Sequence, residues 1–380
     1  MKKLSLLALI SVIILALLIV PFFVFYDNAT STSDFQFELN EDNKSYTLQK
    51  FIGRTTKIKI PAEYKGLPIK VIAHDAFRET EITSLIIPEG IEEIGYSAFY
   101  GCRNLLSVTV PSTVRSIPEW AFGGCEKLKS VEIKEGVERV DTSAFAASGI
   151  EEITLPNSIK KVGNSAFEYC QSLVKVDFGK NTETIGSRVC YNCDRLTTVV
   201  IHENILHIGK EAFHSSPVTY NADGGLNYLG NDTNPFIVLM CARPIYEENW
   251  PYDFYFVNTN CKCIASAAFN GCYEIKNIFI PDGLRGLGEA AFTSCLSLKQ
   301  IVIGKDLVYC GDFLFRENDN LDSIFINGDE SELSAATQKM ILSLSSSYST
   351  ENTKVYYYSE NPPQKEGNYW HMVDDMPISW

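Results

Sequence analysis

The chain has 380 residues, 45% of them hydrophobic, with 33 Lys and Arg against 47 Asp and Glu and a net charge of −14. That length supports a sizeable core, and the acidic balance argues against a nucleic-acid partner, because no cationic face is present to displace counterions from phosphates. Eleven cysteines, an odd number, leave at least one thiol free in any pairing scheme.

Lys2 and Lys3 precede Leu4 to Phe25, a run without charge broken only by Ser5, Ser11 and Pro21. Its length at about 1.5 Å per residue, about 33 Å, is enough to cross a bilayer core. Residues 1–25 are therefore predicted to be a transmembrane signal-anchor, with a cytoplasmic N-terminus and everything after Tyr26 outside. The alternative is a cleaved signal peptide and a secreted chain, but the run is long for one and Val24-Phe25-Tyr26 lacks small residues. No Cys follows the run to take a lipid. Residues 26–34 read as a polar stalk. Residues 35–67, with Phe35-x-Phe37-x-Leu39 and Tyr46-x-Leu48 alternating, read as an N-terminal cap.

From residue 68 to 219, and again from 261 to 328, the dipeptide Ala-Phe or its equivalent returns every 22 or 23 residues. Phe77, Phe99, Phe122, Phe145, Phe167, Cys190 and Phe213 mark the first series; Phe269, Phe292 and Phe315 mark the second. A fixed period of this length is the signature of a solenoid. Within one unit, Val108-x-Val110 and Val131-x-Ile133 alternate as a half-buried strand does. The Ala-Phe-x-x-Cys-x-x-Leu run spaces apolar residues by three or four, which predicts a helical or 3₁₀ turn on the opposite side. The Gly after Ile, Val or Leu in several units (Gly95, Gly163, Gly186, Gly209, Gly288) marks either a positive φ or a close backbone approach.

The unit Ile94-Gly95-x-x-Ala98-Phe99-x-x-Cys102-x-x-Leu105-x-x-Val108-x-Val110-Pro111 resembles the leucine-rich repeats of the BspA-like family. Two further stretches, Tyr228 to Phe236 and Gly367 to Trp380, look like segments that accompany that family. The resemblance implies an α/β solenoid of about ten coils with a parallel sheet, one insert and caps at both ends. It also implies a secreted or membrane-tethered binding surface, with adhesion as the usual role, and carries over no catalytic residue.

Residues 220–260 interrupt the period but hold Phe236 to Met240, a buried-strand pattern, so they are predicted to form a β-rich insert packed on the solenoid. Residues 329–380 are predicted to be a C-terminal cap, with a helix over Ser331 to Leu344, a strand over Val355 to Tyr358, and Trp370 near the end.

Cys102, Cys125, Cys170, Cys193, Cys272 and Cys295 all fall three residues after the Phe slot, where other units carry Ser148, Ser216 and Asn318. A slot shared by Cys, Ser and Asn points to buried donors to a neighbouring carbonyl, not to disulfides or a metal. A bridge from Cys241 to Cys261 or Cys263 stays open. His202, His207 and His214 sit at different edges of one coil. With no nucleophile elbow, phosphate loop or zinc helix motif, the expectation is no enzyme, no cofactor, no metal and no small-molecule substrate.

The outward strand positions divide the chain. Those of the first half are small, polar or charged as far as Val200, whereas the second half carries Phe279, Val302 and Phe325 in one column beside Asn277 and Gln300. This column is the candidate partner-binding patch; the competing expectation is that the insert or the C-terminal cap folds over it. The reading is a surface recognition protein for a protein or glycan. The alternatives are a self-associating envelope protein and an enzyme hidden in the insert.

Overall fold

The computed structural model describes residues 30–242, 255–345, 350, 352–361, 367–373 and 376–379. The predicted membrane segment, residues 4–25, lies outside the described residues, and among these no helix is long and apolar enough to cross a membrane.

The chain winds through about twelve turns of a β-solenoid. Each coil gives one strand to a front sheet and a two-residue strand to a back sheet. In the front sheet Ser107–Val110 lies parallel to Ser130–Ile133, with Val108 opposite Val131, and Glu152–Thr154 aligns with Lys175–Asp177 and Thr198–Val200. The back sheet runs Ser116–Ile117, Arg139–Val140, Lys161–Val162, Thr184–Ile185 and His207–Ile208. In each of these pairs the second residue points into the core. The expected Gly after it answers a close approach: a Cβ on Gly163 would meet the Thr142 amide nitrogen at 2.6 Å, and only a hydrogen fits there.

The Ala-Phe run is not helical, so the α/β description is loose; the α-helix found among the described residues is Ala335–Ser345 in the C-terminal region. The Ser97, Phe99 and Gly101 amides donate to Glu119, Ala121 and Gly123 of the next coil, while those of Ala98, Tyr100 and Cys102 close three-residue turns. A 3₁₀ segment would keep every amide at home. Here alternate amides leave, and the residue before the Ala-Phe pair, such as Ser97, Ser143 or Ser165, takes a left-handed φ of 52 to 55°. The apolar spacing of three comes from these turns.

Phe side chains of successive coils stack through the core. The rings of Phe99 and Phe122 are 5.1 Å apart and nearly parallel, and those of Phe145 and Phe167 are 5.6 Å apart. Phe35 and Phe51 close the N-terminal end of the stack against Phe77. Cys190 breaks it, and Phe178, on the strand side of the core, turns its ring to Phe213 at 6.2 Å instead. A large residue on the strand thus offsets a small one in the Phe slot.

The cysteine slot is a column of buried thiols. Cys102, Cys125, Cys170 and Cys193 donate to the carbonyls of Phe77, Phe99, Phe145 and Phe167 at 3.1 to 3.3 Å. Ser216 and Asn318 make the same bond to Cys190 and Phe292. None of the eleven cysteines forms a disulfide, and no group of three or more His, Cys, Asp or Glu among the described residues could hold a metal. Burial pushes the thiols of Cys102, Cys272 and Cys310 up to about 11 and those of Cys170, Cys261 and Cys295 up to about 12. Since the thiolate is the reactive form, an aromatic disulfide reagent is expected to react in the native protein with Cys241 at most, and with all eleven after denaturation. Rapid native labelling of several thiols would contradict this packing.

Among the described residues two large hydrophobic cores lie inside the solenoid, beside a small outer cluster of Val302, Phe325 and Trp370. The first runs from Phe35 to Val218 and the second from Leu226 to Leu344. Strands Val238–Ala242 and Cys263–Ile264 belong to both: Val238, Cys263 and Ala265 face the first core, Leu239 and Ile264 the second. The back sheet of the second block therefore closes the open end of the first. The segment 220–242 contributes more than an elaboration. Ala242 occupies a Phe slot, its amide donating to Ala268 as that of Phe269 donates to Ala291. The period continues through the gap with longer spacers.

Candidate partner-binding surface

The front sheet of the second block runs Tyr255–Phe256, Asn277–Phe279, Gln300–Gly304, Ser323–Asn327 and Lys354–Tyr358. Its register places Phe279, Val302, Phe325 and Tyr356 side by side on the outer face, and Asn277, Gln300 and Ser323 in a neighbouring row. Val200 stands apart in the first block, paired with Gly230.

Val302 and Phe325, expected at an open patch, are 1% and 3% exposed. The cause is Trp370 on the last hairpin, Tyr369–Val373 with Met376–Ser379, which extends the sheet beside Lys354–Tyr358. Trp370, 2% exposed, lays its ring edgewise on Phe325 at 5.6 Å and donates its indole N–H to the Ile326 carbonyl at 2.8 Å. Tyr358 packs on the same indole at 5.2 Å. Accessible surface in this column begins at Phe279, half-buried beside Phe256. An apolar row on an outer face needed a cover, and Trp370 was the residue to look for.

The front face of the first block carries no such cover among the described residues. Ser130, Glu132, Glu152, Thr154, Lys175 and Thr198 are exposed along it, and Thr109 donates to Glu132 at 3.1 Å. Asp177 accepts from the Gly179 amide and pairs with His202 Nε2 at 2.9 Å. The face ends at a turn built by Asn231, whose Oδ1 accepts from the amides of Thr233 and Asn234 at 3.0 Å each. This is why the Gly230-Asn231-Asp232-Thr233-Asn234 stretch reads as a motif: it terminates the first block's sheet.

The three histidines do not converge. His214 stacks on Tyr191 at 5.5 Å, while His207 lies in the seam between the blocks, with Nε2 3.1 Å from the Ser266 hydroxyl and its ring 4.8 Å from Tyr309. Sequence reasoning missed this seam. Its signal is the outward back-sheet slot, which reads Glu93, Ser116, Arg139, Lys161, Thr184 and His207 in the first block but Cys263, Gly286 and Tyr309 in the second. The change from charged to small or aromatic marks a face that is covered.

Burial lowers the pKa of His207. A depressed histidine is neutral in the fold and charged in the unfolded chain, so its contribution is whole above about pH 6.5 and shrinks as pH falls towards the folded value. Thermal stability is expected to fall with acidification below that pH, and to fall less in His207→Thr, which copies Thr184. Equal acid sensitivity in the two proteins would rule out the seam histidine as the cause.

A family model described as BspA type leucine rich repeat region matches residues 69–123, 92–219 and 252–359, more than half of the chain. Among solved structures, the chain is similar to a leucine-rich repeat protein from Bacteroides ovatus, with 16% identity, a TM-score of 0.44, and coverage of 87% of this chain and 100% of that one. It is also similar to the pneumococcal vaccine antigen PcpA, with 18% identity, a TM-score of 0.39, and coverage of 88% and 94%. A leucine-rich cell surface protein from Faecalibacterium prausnitzii shares 19% identity at a TM-score of 0.28, over 88% of this chain and 96% of that one. No curated protein matches the chain.

Proposed function

We propose, from the premise that this chain belongs to the family of BspA-type leucine-rich repeat proteins, that it is a non-catalytic recognition protein displayed at the bacterial surface, binding a protein or glycan in adhesion. The observation that carries the reading is the asymmetry of the front sheet: its apolar half is sealed by Trp370, and its polar half is left open from Ser107 to Thr198. A solenoid face that had only to be solvated would need no cover on one half. In-register neighbours such as Glu152, Lys175 and Thr198 offer alternating donors and acceptors spaced by about 4.8 Å, the strand separation. Phe279, Asn277 and Gln300 extend the surface at the edge of the covered column, and Val200 closes its other end; Val302 and Phe325 act beneath it as support. Residues 4–25 hold the display to the membrane, with a secreted form as the other outcome.

The test is binding of the ectodomain, residues 27–380, to immobilised host matrix proteins and cell-wall polymers, beside a form with Glu152 and Lys175 replaced by Ala. Saturable binding that the double variant loses supports the reading. Concentration-dependent oligomers with no ligand would support a self-associating envelope protein in its place.

A further inference from the structure

The turn edge of the solenoid, opposite neither sheet face discussed above, holds two aromatic platforms. The slot before Ala-Phe has a left-handed backbone in coil after coil and carries Asp75, Ser97, Ser143 or Ser165; in the first block one coil puts Trp120 there, at φ 58°, and in the second Phe313 takes it, at φ 56°. The slot two residues after Phe is also left-handed and carries Glu79, Ala147, Asn192 or Ser215; one coil puts Tyr169 there, at φ 60° and 46% exposed. A bulky side chain on left-handed backbone is disfavoured. The turns set this backbone in every coil, so what is special to Trp120 and Tyr169 is the ring each presents.

Each platform is braced. Tyr100 meets Trp120 edgewise at 5.8 Å, and the Arg78 guanidinium lies 4.5 Å over the Tyr100 ring. The indole rests on Gly123, where a Cβ would meet its Cε3 at 2.6 Å; most other coils have a side chain at that place (Tyr100, Ala146, Glu168, Tyr191). On the other side Tyr191 meets Tyr169 at 6.2 Å and is itself held between Arg188, at 4.0 Å, and His214. Between the platforms the floor is Gly123, Gly124, Ala146 and Ala147, all small. Trp120 and Tyr169 belong to coils two steps apart, about 10 Å at the usual strand spacing.

We infer that this trough between Trp120 and Tyr169 is a binding site for a neutral, extended glycan, whose alternate sugar rings lie on the two aromatic platforms. The rim favours hydroxyls. Arg188 pairs with Glu168 at 2.7 Å, and Arg78 lies between Asp75 at 3.2 Å and Glu79 at 3.6 Å. Each cluster sets donors beside carboxylate acceptors, which suits a ligand that both donates and accepts. A proline-rich peptide also stacks on aromatic grooves, but it offers few donors to those carboxylates. An anionic polymer would meet the surplus carboxylate of the Asp75, Arg78 and Glu79 cluster. The site rests on the recognition reading above and names the ligand class and the edge that takes it.

The test uses the full chain and hexasaccharides of β-linked glucose and of β-linked N-acetylglucosamine as probes, with a proline-rich peptide alongside, followed by tryptophan fluorescence and calorimetry. Trp120→Ser and Tyr169→Ala install residues that other coils carry in the same slots, so both variants should fold with unchanged melting temperature. Saturable binding of a hexasaccharide, weakened about tenfold or more by either substitution, is the expected result. Glycan binding that both variants retain overturns the site while leaving surface recognition intact. Binding of the peptide alone, or of neither probe, overturns the glycan assignment; only loss of every ligand in the matrix and cell-wall binding assay touches the broader reading.

Discussion

Trp370→Ala is expected to cost about 3–5 kcal/mol in denaturant unfolding, the range for deleting a buried large aromatic. The indole is almost fully buried, covers Val302 and Phe325, and gives its N–H to Ile326. Its loss would expose the apolar row and leave that carbonyl without the bond. Trp370→Phe should recover the packing of the ring and lose only the hydrogen bond, about 1 kcal/mol. Because the hairpin lies at the end of the solenoid, it can also open alone. Amide exchange of Tyr369–Val373 and Ser323–Asn327 would show this as a loss of protection confined to the cap. A variant within about 1 kcal/mol of the parent, with the cap still protected, would mean that Trp370 does not seal the column.

Gly286→Ala is expected to open the seam, at about 3 kcal/mol or more. A Cβ at this position would run into the carbonyl oxygen of Leu206, which is backbone and cannot swing aside as a side chain would. Overpacking into a filled interior costs about 1–3 kcal/mol where neighbours can shift; here they belong to another block. Around it, Ser266 donates its amide to Ile208 at 2.9 Å, and the Cys263 thiol lies 3.4 Å from the same Leu206 carbonyl. The control is Lys161→Ala, in the equivalent slot of the first block, which should stay within about 0.5 kcal/mol. Calorimetry should resolve two transitions in Gly286→Ala where the parent shows coupled unfolding. A single transition at the parent temperature would show that the blocks do not depend on this contact.

The repeat made the solenoid legible because a slot that recurs every coil must face the same neighbours each time. The same logic identified the thiol column, since Cys, Ser and Asn share only a donor and a small volume. It failed for the Ala-Phe segment. Spacing by three or four records which residues point inwards, and both a 3₁₀ turn and a pair of turns sharing amides with the next coil satisfy it; what separates them is where the Ser97 and Phe99 amides go, and that is a relation between coils. It failed again at Ala242, a small residue in a Phe slot with spacers of 29 and 27 residues on either side. The cover over Val302 and Phe325 depends on how the last hairpin bends, which no local pattern encodes. The seam could have been read from Cys263, Gly286 and Tyr309, had the outward back-sheet slot been followed as closely as the Phe slot.

The departing amides of the turn edge have a further consequence. Because the amides of Ser97, Phe99 and Gly101 donate to the next coil, and the backbone of each inner coil pairs with its two neighbours, one unit of 23 residues can be gained or lost from the middle of the first block without altering the N-terminal cap or the seam. Each such event changes the reach of the molecule by a single step of about 4.8 Å. Length is thus an independent variable in this architecture. A lineage could retune the length of the front face by recombination between neighbouring repeats, while the fixed parts at either end pass through unchanged.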